Sequence, residues 1–292
     1  MKEERILLIL MVPALTIFAL FMLAPSIWGV YVSFTNEALI GPAAKNPRFV
    51  GLENYYRILS DKEFINSVKN STIFVIGSAV LGQNFLGMTL AALTRRRRKI
   101  WNKIKYAAIL ASTACFLCWI TPEMVLSLEW LAYLDYDYGL LNDILETLIG
   151  IRINWFYHYP MLSIILINIW WGTGWSMLLW RSAFESIPPE LEEAAEVDGC
   201  TSLQKYRYVI LPLLKGAFAI NLILITIWTY GVTGFVLALM GYREETTLMT
   251  IYAYQKAFKF YEIGYGSTVC IFIFIICLTL SLIYYKILRV RE

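Results

Sequence analysis

Six long apolar runs dominate this chain of 292 residues and restrict what it can fold into. Each run is long enough to supply the ~20 residues that a helix needs to cross the hydrocarbon core of a bilayer. Because no water is available there to satisfy open backbone groups, such runs are expected to be helices. The predicted spans cover residues 6–34, 71–93, 106–128, 160–180, 213–240 and 263–287. We therefore predict an all-α membrane protein.

Composition and charge distribution agree with a membrane location. Hydrophobic residues make up 59% of the chain and charged residues 16%, whereas a soluble domain usually carries about 25% charged residues. If the N-terminus is cytoplasmic, most Lys and Arg residues fall on the inner side, including the RRRRK run at 95–99. Lys and Arg are favoured on that side. We therefore predict a multi-pass protein of the cell (cytoplasmic) membrane with both termini in the cytoplasm.

One polar segment, residues 187–212, interrupts the apolar runs and faces the cytoplasm in this topology. Pro189 suits the first turn of a helix, which needs no backbone N–H donors. Gly199 suits the left-handed residue that ends a helix. Thr201 and Gln204 have the spacing of a capping box that begins a second helix. The segment therefore predicts two helices joined by a glycine turn.

Two interpretations of this segment remain open from its residues alone. It docks onto a cytoplasmic protein, with Tyr206 as an apolar anchor in a groove, or it lies on the membrane as an amphipathic connector. Its first half is acidic, with Glu190, Glu192, Glu193 and Glu196. Anionic lipid attracts basic residues instead, so the acidic half favours docking.

The spacing within the segment resembles the coupling loop of ABC importer permeases. The motif of that family is EAA, three residues, Gly, nine residues and then I-x-L-P. Here Glu193-Ala194-Ala195, Gly199 and VILP at 209–212 stand at that spacing, with Val209 in place of the usual Ile. In the family this loop sits in a cleft of a separate ATP-hydrolysing subunit. The resemblance assigns ATPase coupling to Glu193, Ala194, Ala195, Asp198, Gly199, Tyr206, Leu211 and Pro212.

Other stretches extend the resemblance to nearly the whole chain. They are FVGLENYYRILSD at 49–61, DYGLLN at 137–142, INWF at 153–156 and FKFYEIGYGS at 258–267. The chain is similar to the carbohydrate and glycerol-phosphate (maltose-type) permeases, specifically to the first of their two paired membrane subunits. The resemblance implies the type I importer permease fold, with six transmembrane helices and coupling helices between spans four and five. It implies a single transmembrane permease domain over residues 1–292.

The resemblance also implies a function and a set of partners. The expected function is ATP-driven import of a sugar or related polyol by alternating access. The expected partners are a second homologous permease subunit, a dimeric ATP-binding subunit that holds ATP and Mg, an extracytoplasmic solute-binding protein and membrane lipid. No nucleic acid is expected as a partner, and no cofactor, metal or catalytic residue is expected in this chain.

Polar residues inside predicted spans are costly and indicate a candidate substrate pathway. Asn168 and Gly172 are four residues apart and share a helix face. By the resemblance, they match sugar-contacting positions counted back from the coupling motif. The candidate pathway consists of Asn168, Gly172, Trp171, Trp175, Thr121, Glu123, Trp228 and Thr229. A hydrogen bond between helices at Asn168 and close packing at Gly172 remain the alternatives.

Two other classes of function are alternatives to an importer. The chain contains no GxxxxGK[ST] phosphate loop and no HExxH motif, and it lacks a GxSxG nucleophile elbow. A membrane enzyme is therefore disfavoured. The remaining alternative is a self-contained secondary transporter, which would need coupling-ion chemistry near the bilayer midplane and often has internal repeats. Neither feature is evident in the sequence.

Overall fold

The computed structural model describes residues 11–95 and 101–288, which are almost entirely helical. Residues 6–10 of the first predicted span, most of the basic run at 95–99 and the last four residues lie outside the described residues. The main helices are α1 (Met11–Val32), α2 (Glu53–Ser60), α3 (Lys62–Leu93), α4 (Trp101–Ile120), α5 (Glu123–Tyr133), α6 (Leu140–Ile149), α7 (Pro160–Glu185), α8 (Pro189–Val197), α9 (Ser202–Leu213), α10 (Lys215–Tyr230), α11 (Gly234–Met240), α12 (Met249–Tyr254) and α13 (Ile263–Leu288).

Four of these helices, α1, α3, α7 and α13, are long and apolar enough to cross a membrane. Two bent pairs, α4 with α5 and α9 with α10, raise the number to as many as six if each pair is one span. The described residues therefore contain four to six candidate spans. They include helices in all six predicted apolar runs.

The helix of the second predicted span begins earlier than the apolar run at 71–93. It begins at Lys62 because the Asp61 carboxylate caps its N-terminus. Asp61 Oδ1 accepts hydrogen bonds from the backbone N–H groups of Glu63 (3.0 Å) and Phe64 (3.3 Å). A polar first turn therefore precedes the apolar part of α3.

The third and fifth predicted spans, 106–128 and 213–240, are not continuous helices. α4 and α5 meet at an angle of 112° beside Pro122. Proline cannot donate a backbone hydrogen bond, and it disfavours helical geometry in the residue before it. The fifth run contains α10 and α11, which are separated after Tyr230, and α10 is bent by 64° from the preceding α9. Hydropathy alone detects neither the break beside Pro122 nor the break after Tyr230.

The described contacts divide the chain into two compact units. The first unit combines Met1–Asn66 with Met249–Ile275, and the second combines Ser67–Leu248 with Ile276–Glu292. Within the second unit, α7 packs against α3, α4 and α10. More of its apolar stretch is buried than in any of the other three long helices. Its buried side chains include Ile164, Ile167, Met177, Trp180 and Phe184.

A polar cluster holds the first unit together. Tyr252 and Tyr265 both donate their hydroxyls to Asp61 Oδ2, the latter at 2.7 Å. Arg57 forms two hydrogen bonds with Glu262, of 3.0 and 2.9 Å. Partial burial raises the pKa of Asp61, but the hydrogen bonds from the two tyrosines outweigh burial and place this pKa below its usual range. The stretches 49–61 and 258–267 therefore form one packed element.

Candidate functional site

The polar segment at 187–212 has the local structure that its residues predict. α8 ends before Gly199, whose φ of +77° lies in the left-handed region. The next helix starts with a complete capping box: Gln204 N–H donates to Thr201 Oγ1 (3.3 Å), and Thr201 N–H donates to Gln204 Oε1 (2.8 Å). These findings confirm the two helices and the glycine turn.

The candidate coupling residues divide into an outward and an inward group. Glu193, Ala194, Asp198, Gly199, Leu211 and Pro212 are exposed. Ala195 is buried, and the ring of Tyr206 lies 6.1 Å from that of Phe184 in α7. The inward group therefore attaches the segment to its own chain. Tyr206 packs against this chain, which limits how far it can serve as an anchor in the groove of another protein.

An apolar cluster lies beneath the inward side of the segment. Its buried members are Ala91, Met177, Trp180, Phe184, Ile187, Ile210 and Leu214. They come from α3, α7, the start of the segment and its end. The segment is consequently packed onto α3 and α7 and is more than a solvated loop.

The outward side exposes apolar residues that the motif does not name. Val197 is 87% exposed and Leu203 is 78% exposed, on either side of the Gly199 turn. Leu191 is also exposed. Apolar residues exposed together are a common feature of interaction sites. None of these three residues stands at a named position of the motif.

A buried ion pair fixes the base of α8. Arg95 Nη2 lies 2.6 Å from Glu192 Oε1, and Arg95 Nη1 lies 3.2 Å from Glu192 Oε2. Arg95 belongs to the basic run that the predicted topology places on the cytoplasmic side, yet its side chain is only 8% exposed. On the same face of α8, Lys205 Nζ lies 2.7 Å from Glu196 Oε1 and 3.9 Å from Glu192 Oε2. Sequence reasoning missed both pairs, because neither has a recognisable spacing.

Four tryptophans from three helices form the aromatic part of the candidate pathway. The ring centroids of Trp171 and Trp228 are 5.0 Å apart, those of Trp119 and Trp175 are 5.2 Å apart, and Trp119 meets Trp228 edge-on at 6.4 Å. Trp171 Nε1 also donates to the Thr121 backbone carbonyl (3.0 Å). The structure therefore brings together Trp171, Trp175 and Trp228 and adds Trp119. The position of Trp119 two residues before Thr121 is the signal that could have identified it.

Asn168 and Gly172 lie where α7 meets α3. The Asn168 side chain is buried and donates to Ser78 Oγ at 2.7 Å, while Gln83 Nε2 donates to the Asn168 backbone carbonyl at 2.8 Å. A Cβ atom at Gly172 would overlap the amide of Gln83. In this arrangement both residues therefore make helix–helix contacts. Their contact with substrate stays a prediction.

The remaining pathway candidates occupy the helix breaks. Thr121 donates its hydroxyl to the Leu117 carbonyl (3.0 Å) at the end of α4. Glu123 Oε2 accepts the backbone N–H of Phe235 at 3.1 Å, near the start of α11. Thr229 is buried near the end of α10. Glu123 thus connects the break in the third predicted span with the break in the fifth.

A second buried polar group was not predicted. Asn84 Oδ1 accepts hydrogen bonds from Trp180 Nε1 (3.1 Å) and Asn221 Nδ2 (2.9 Å), and the same Asn221 nitrogen lies 3.2 Å from Ser176 Oγ. These residues come from α3, α7 and α10. Buried amides in membrane helices commonly join neighbouring helices. Asn84 and Asn221 are asparagines within predicted apolar runs, and this was the sequence signal from which the group could have been predicted.

No cluster of three or more His, Cys, Asp or Glu residues in the described part of the chain is arranged to hold a metal ion. The acidic residues of the candidate sites are accounted for differently. Glu192 and Glu123 make contacts within the chain, while Glu193 and Asp198 are exposed.

Comparison with known sequences gives a consistent result over nearly the full chain. A family model described as "Binding-protein-dependent transport system inner membrane component" matches residues 83–291. The trehalose/maltose transport system permease protein MalF of Thermococcus litoralis is 28% identical over 295 residues, covering 100% of this chain and 96% of that protein. The sulfoquinovosyl glycerol transport system permease protein SmoG of Agrobacterium fabrum is 27% identical, covering 99% of this chain and 92% of that protein.

Solved structures show the same fold. A chain of a bacterial ABC transporter involved in the import of the acidic polysaccharide alginate superimposes with a TM-score of 0.80 at 21% identity. The likeness covers 99% of this chain and 96% of that one. The helix breaks and the helical segment at 187–212 therefore occur in a chain whose fold is that of ABC importer permeases.

Proposed function

This chain belongs to the family of binding-protein-dependent transport system inner membrane components, and we propose that it carries a sugar or related polyol across the membrane. It is a membrane-spanning permease subunit of an ABC importer, and ATP hydrolysis belongs to a separate chain. The family assignment decides against a membrane enzyme and against the self-contained secondary transporter.

The tryptophan cluster carries the proposal of a sugar substrate. Small-molecule sites are lined mainly by apolar and aromatic side chains with a few well-placed polar groups. Trp119, Trp171, Trp175 and Trp228 supply four indoles from α4, α7 and α10, and Asn168 supplies an amide on α7. Relatives that match over the full chain are described as permeases for trehalose/maltose and sulfoquinovosyl glycerol. Both descriptions favour a hydroxyl-rich substrate.

Substrate contact at Asn168 and Gly172 requires α3 and α7 to separate in their middle parts, where residues 78–83 face residues 168–172. Ser78 and Gln83 of α3 cover these two residues in the described arrangement. Separation would free the Asn168 amide and the space above Gly172 for a sugar ring. Transport by alternating access needs such a second arrangement, and a partner must favour one arrangement over the other.

The exposed side of α8 and its glycine turn are proposed to dock onto the ATP-binding subunit. Glu193, Ala194, Asp198 and Gly199 are exposed there beside Val197. Ala195 is buried on the inward side of α8, Tyr206 holds α9 on Phe184 of α7, and Leu211 and Pro212 lead from the segment toward α10. Closure of an ATPase dimer would push on residues 189–212 and shift α3 and α7.

The complete importer contains further partners in this proposal. They are a second homologous permease subunit, a dimeric ATP-binding subunit that holds ATP and Mg, an extracytoplasmic solute-binding protein and membrane lipid. The chain forms one permease domain over residues 1–292 with six spans in total, in which α4 with α5 forms the third span and α10 with α11 forms the fifth. Both termini and the coupling segment lie on the cytoplasmic side of the cell membrane.

The test is co-purification from native membranes in a mild detergent, followed by uptake into vesicles. We expect an ATP-binding protein and a second permease to be recovered with this chain. ATP-dependent uptake of radiolabelled trehalose, maltose or another glycoside should follow when the binding protein is added. Recovery of the ATPase with uptake of amino acids and no glycoside would overturn the sugar assignment. Recovery of the chain alone would overturn the proposed docking.

A further inference from the structure

We infer that Arg95 is a positioning residue that locks the coupling helix α8 to the ends of α3 and α7, so that these three helix ends move together. The inference rests on the proposed function, which makes α8 the element that receives the movement of the ATPase. It adds a residue outside the EAA motif to the coupling machinery.

Arg95 contacts three elements at one corner of the second unit. It follows the end of α3 and forms a two-pronged pair with Glu192 of α8, at 2.6 and 3.2 Å. Its Nη2 also donates to the backbone carbonyl of Phe184 in the last turn of α7 (2.8 Å), and its guanidinium lies 5.4 Å from the Phe184 ring centroid. A planar guanidinium fixes a carboxylate in distance and in orientation.

The pair is shielded from solvent. The side chains of Arg95 and Glu192 are 8% and 12% exposed. Removing two charges from water is costly, so a buried pair is weak evidence for stability, while leaving one charge without its partner is strongly unfavourable. The pair therefore specifies one position of α8 relative to α3 and α7. Lysine at position 95 would retain the positive charge but not the paired N–H donors with which the guanidinium holds both carboxylate oxygens of Glu192.

The chain itself connects α8 to α7 at one point only, through a short linker. α7 ends at Glu185 and α8 begins at Pro189, so only three residues connect them. A helix held by such a linker alone could rotate about it without moving α7. The Arg95–Glu192 pair lies in the first turn of α8 and, together with the buried side chains of Ile187 and Ile210, opposes this rotation. Lys205 reinforces the arrangement on the same face of α8, with its Nζ 2.7 Å from Glu196 Oε1 and 3.9 Å from Glu192 Oε2.

The direct test measures how firmly α8 is held. Spin labels are placed at Val197→Cys on α8 and at Leu166→Cys on α7, two exposed positions, in full-length chain whose five native cysteines are replaced by alanine. We expect a narrow distance distribution in the parent chain, a clearly broader one with Glu192→Gln, and an intermediate one with Arg95→Lys. Glu190→Gln, an exposed carboxylate on the same helix, is the matched control and should leave the distribution narrow.

The functional test uses the assembled importer in vesicles with the sugar identified by the uptake experiment. With Glu192→Gln, the ATP hydrolysed per sugar imported should rise at least about fivefold, as expected for loss of an allosteric coupling, while the amount of co-purified ATPase stays the same. If the parent chain binds no ATPase, the proposed function fails and the distance measurement still decides the inference. Narrow distributions in both Glu192→Gln and Arg95→Lys would overturn it.

Discussion

The two candidate sites of this chain differ in what their residues contact. Most motif residues of the coupling segment, such as Glu193 and Gly199, are exposed. The pathway residues Asn168 and Trp171 are buried and already hydrogen-bonded within the chain. The coupling segment presents a surface ready for a partner, whereas the pathway is closed by its own neighbours. Substitutions in the coupling segment should therefore act through docking of the ATPase. Substitutions in the pathway should act through helix packing as well as through substrate binding.

The largest expected effect is loss of the ATPase from a charge placed on the exposed side of α8. Val197→Asp would bury a new carboxylate at the proposed interface, where an unpaired charge is costly. We expect co-purified ATPase to fall by at least about tenfold, equivalent to 1.4 kcal/mol or more. The measurement is the ratio of ATPase to permease after purification.

Tyr138→Asp is the matched control for Val197→Asp. Tyr138 is 89% exposed and Val197 is 87% exposed, but Tyr138 lies between α5 and α6 and outside the coupling segment. Equal loss of ATPase from both variants would mean that the effect is not specific to α8. Ala195→Asp is a poorer choice, since Ala195 is buried and its substitution would disturb the packing of α8 as well as docking.

The second-largest effect is expected at Gly172. In Gly172→Ala the new methyl group would overlap the Gln83 amide, and overpacking of this kind costs typically 1–3 kcal/mol. The double variant Gly172→Ala/Gln83→Ala removes the overlap and should recover most of the lost thermal stability. Recovery of stability without recovery of uptake would mark Gly172 as a substrate contact, and recovery of both would mark it as a packing position alone.

The sequence predicted the helical class, the apolar runs and the local structure of the coupling segment. These follow from short-range rules: about twenty apolar residues for a span, a left-handed glycine at Gly199, and the capping spacing of Thr201 and Gln204. The partners of the pathway residues could not be predicted. The contacts of Asn168 with Ser78 and of Arg95 with Glu192 join residues 90 and 97 positions apart, and no local pattern encodes such pairs.

A smaller effect separates the two interpretations of Asn168. Asn168→Ala and Ser78→Ala each remove the same hydrogen bond, and such bonds between membrane helices are worth about 0.6 kcal/mol on average. Both variants should therefore lower the thermal stability slightly and to a similar extent. If Asn168 also contacts the sugar, only Asn168→Ala should raise the half-saturation concentration for uptake. Equal uptake by the two variants would leave Asn168 as a packing residue.

The smallest expected effect concerns pH and the polar cluster of the first unit, which belongs to neither site. Hydrogen bonds from Tyr252 and Tyr265 place the pKa of Asp61 below its usual range despite partial burial. A carboxylate whose pKa is lowered on folding stabilises the folded state above its unfolded pKa of about 3.9, and this contribution is lost as the pH falls through the lower, folded value.

Between pH 7.5 and 5.0 the thermal stability contributed by this cluster should therefore not change. Asp61→Asn should lower the stability by the same amount at both values, because it removes the charge that both tyrosines contact. The measurement is thermal unfolding of the parent chain and of Asp61→Asn at each pH. If the difference in thermal stability between the parent chain and Asp61→Asn shrinks markedly at pH 5.0, Asp61 already takes up a proton at that pH. The tyrosines then do not stabilise its charge as the geometry indicates.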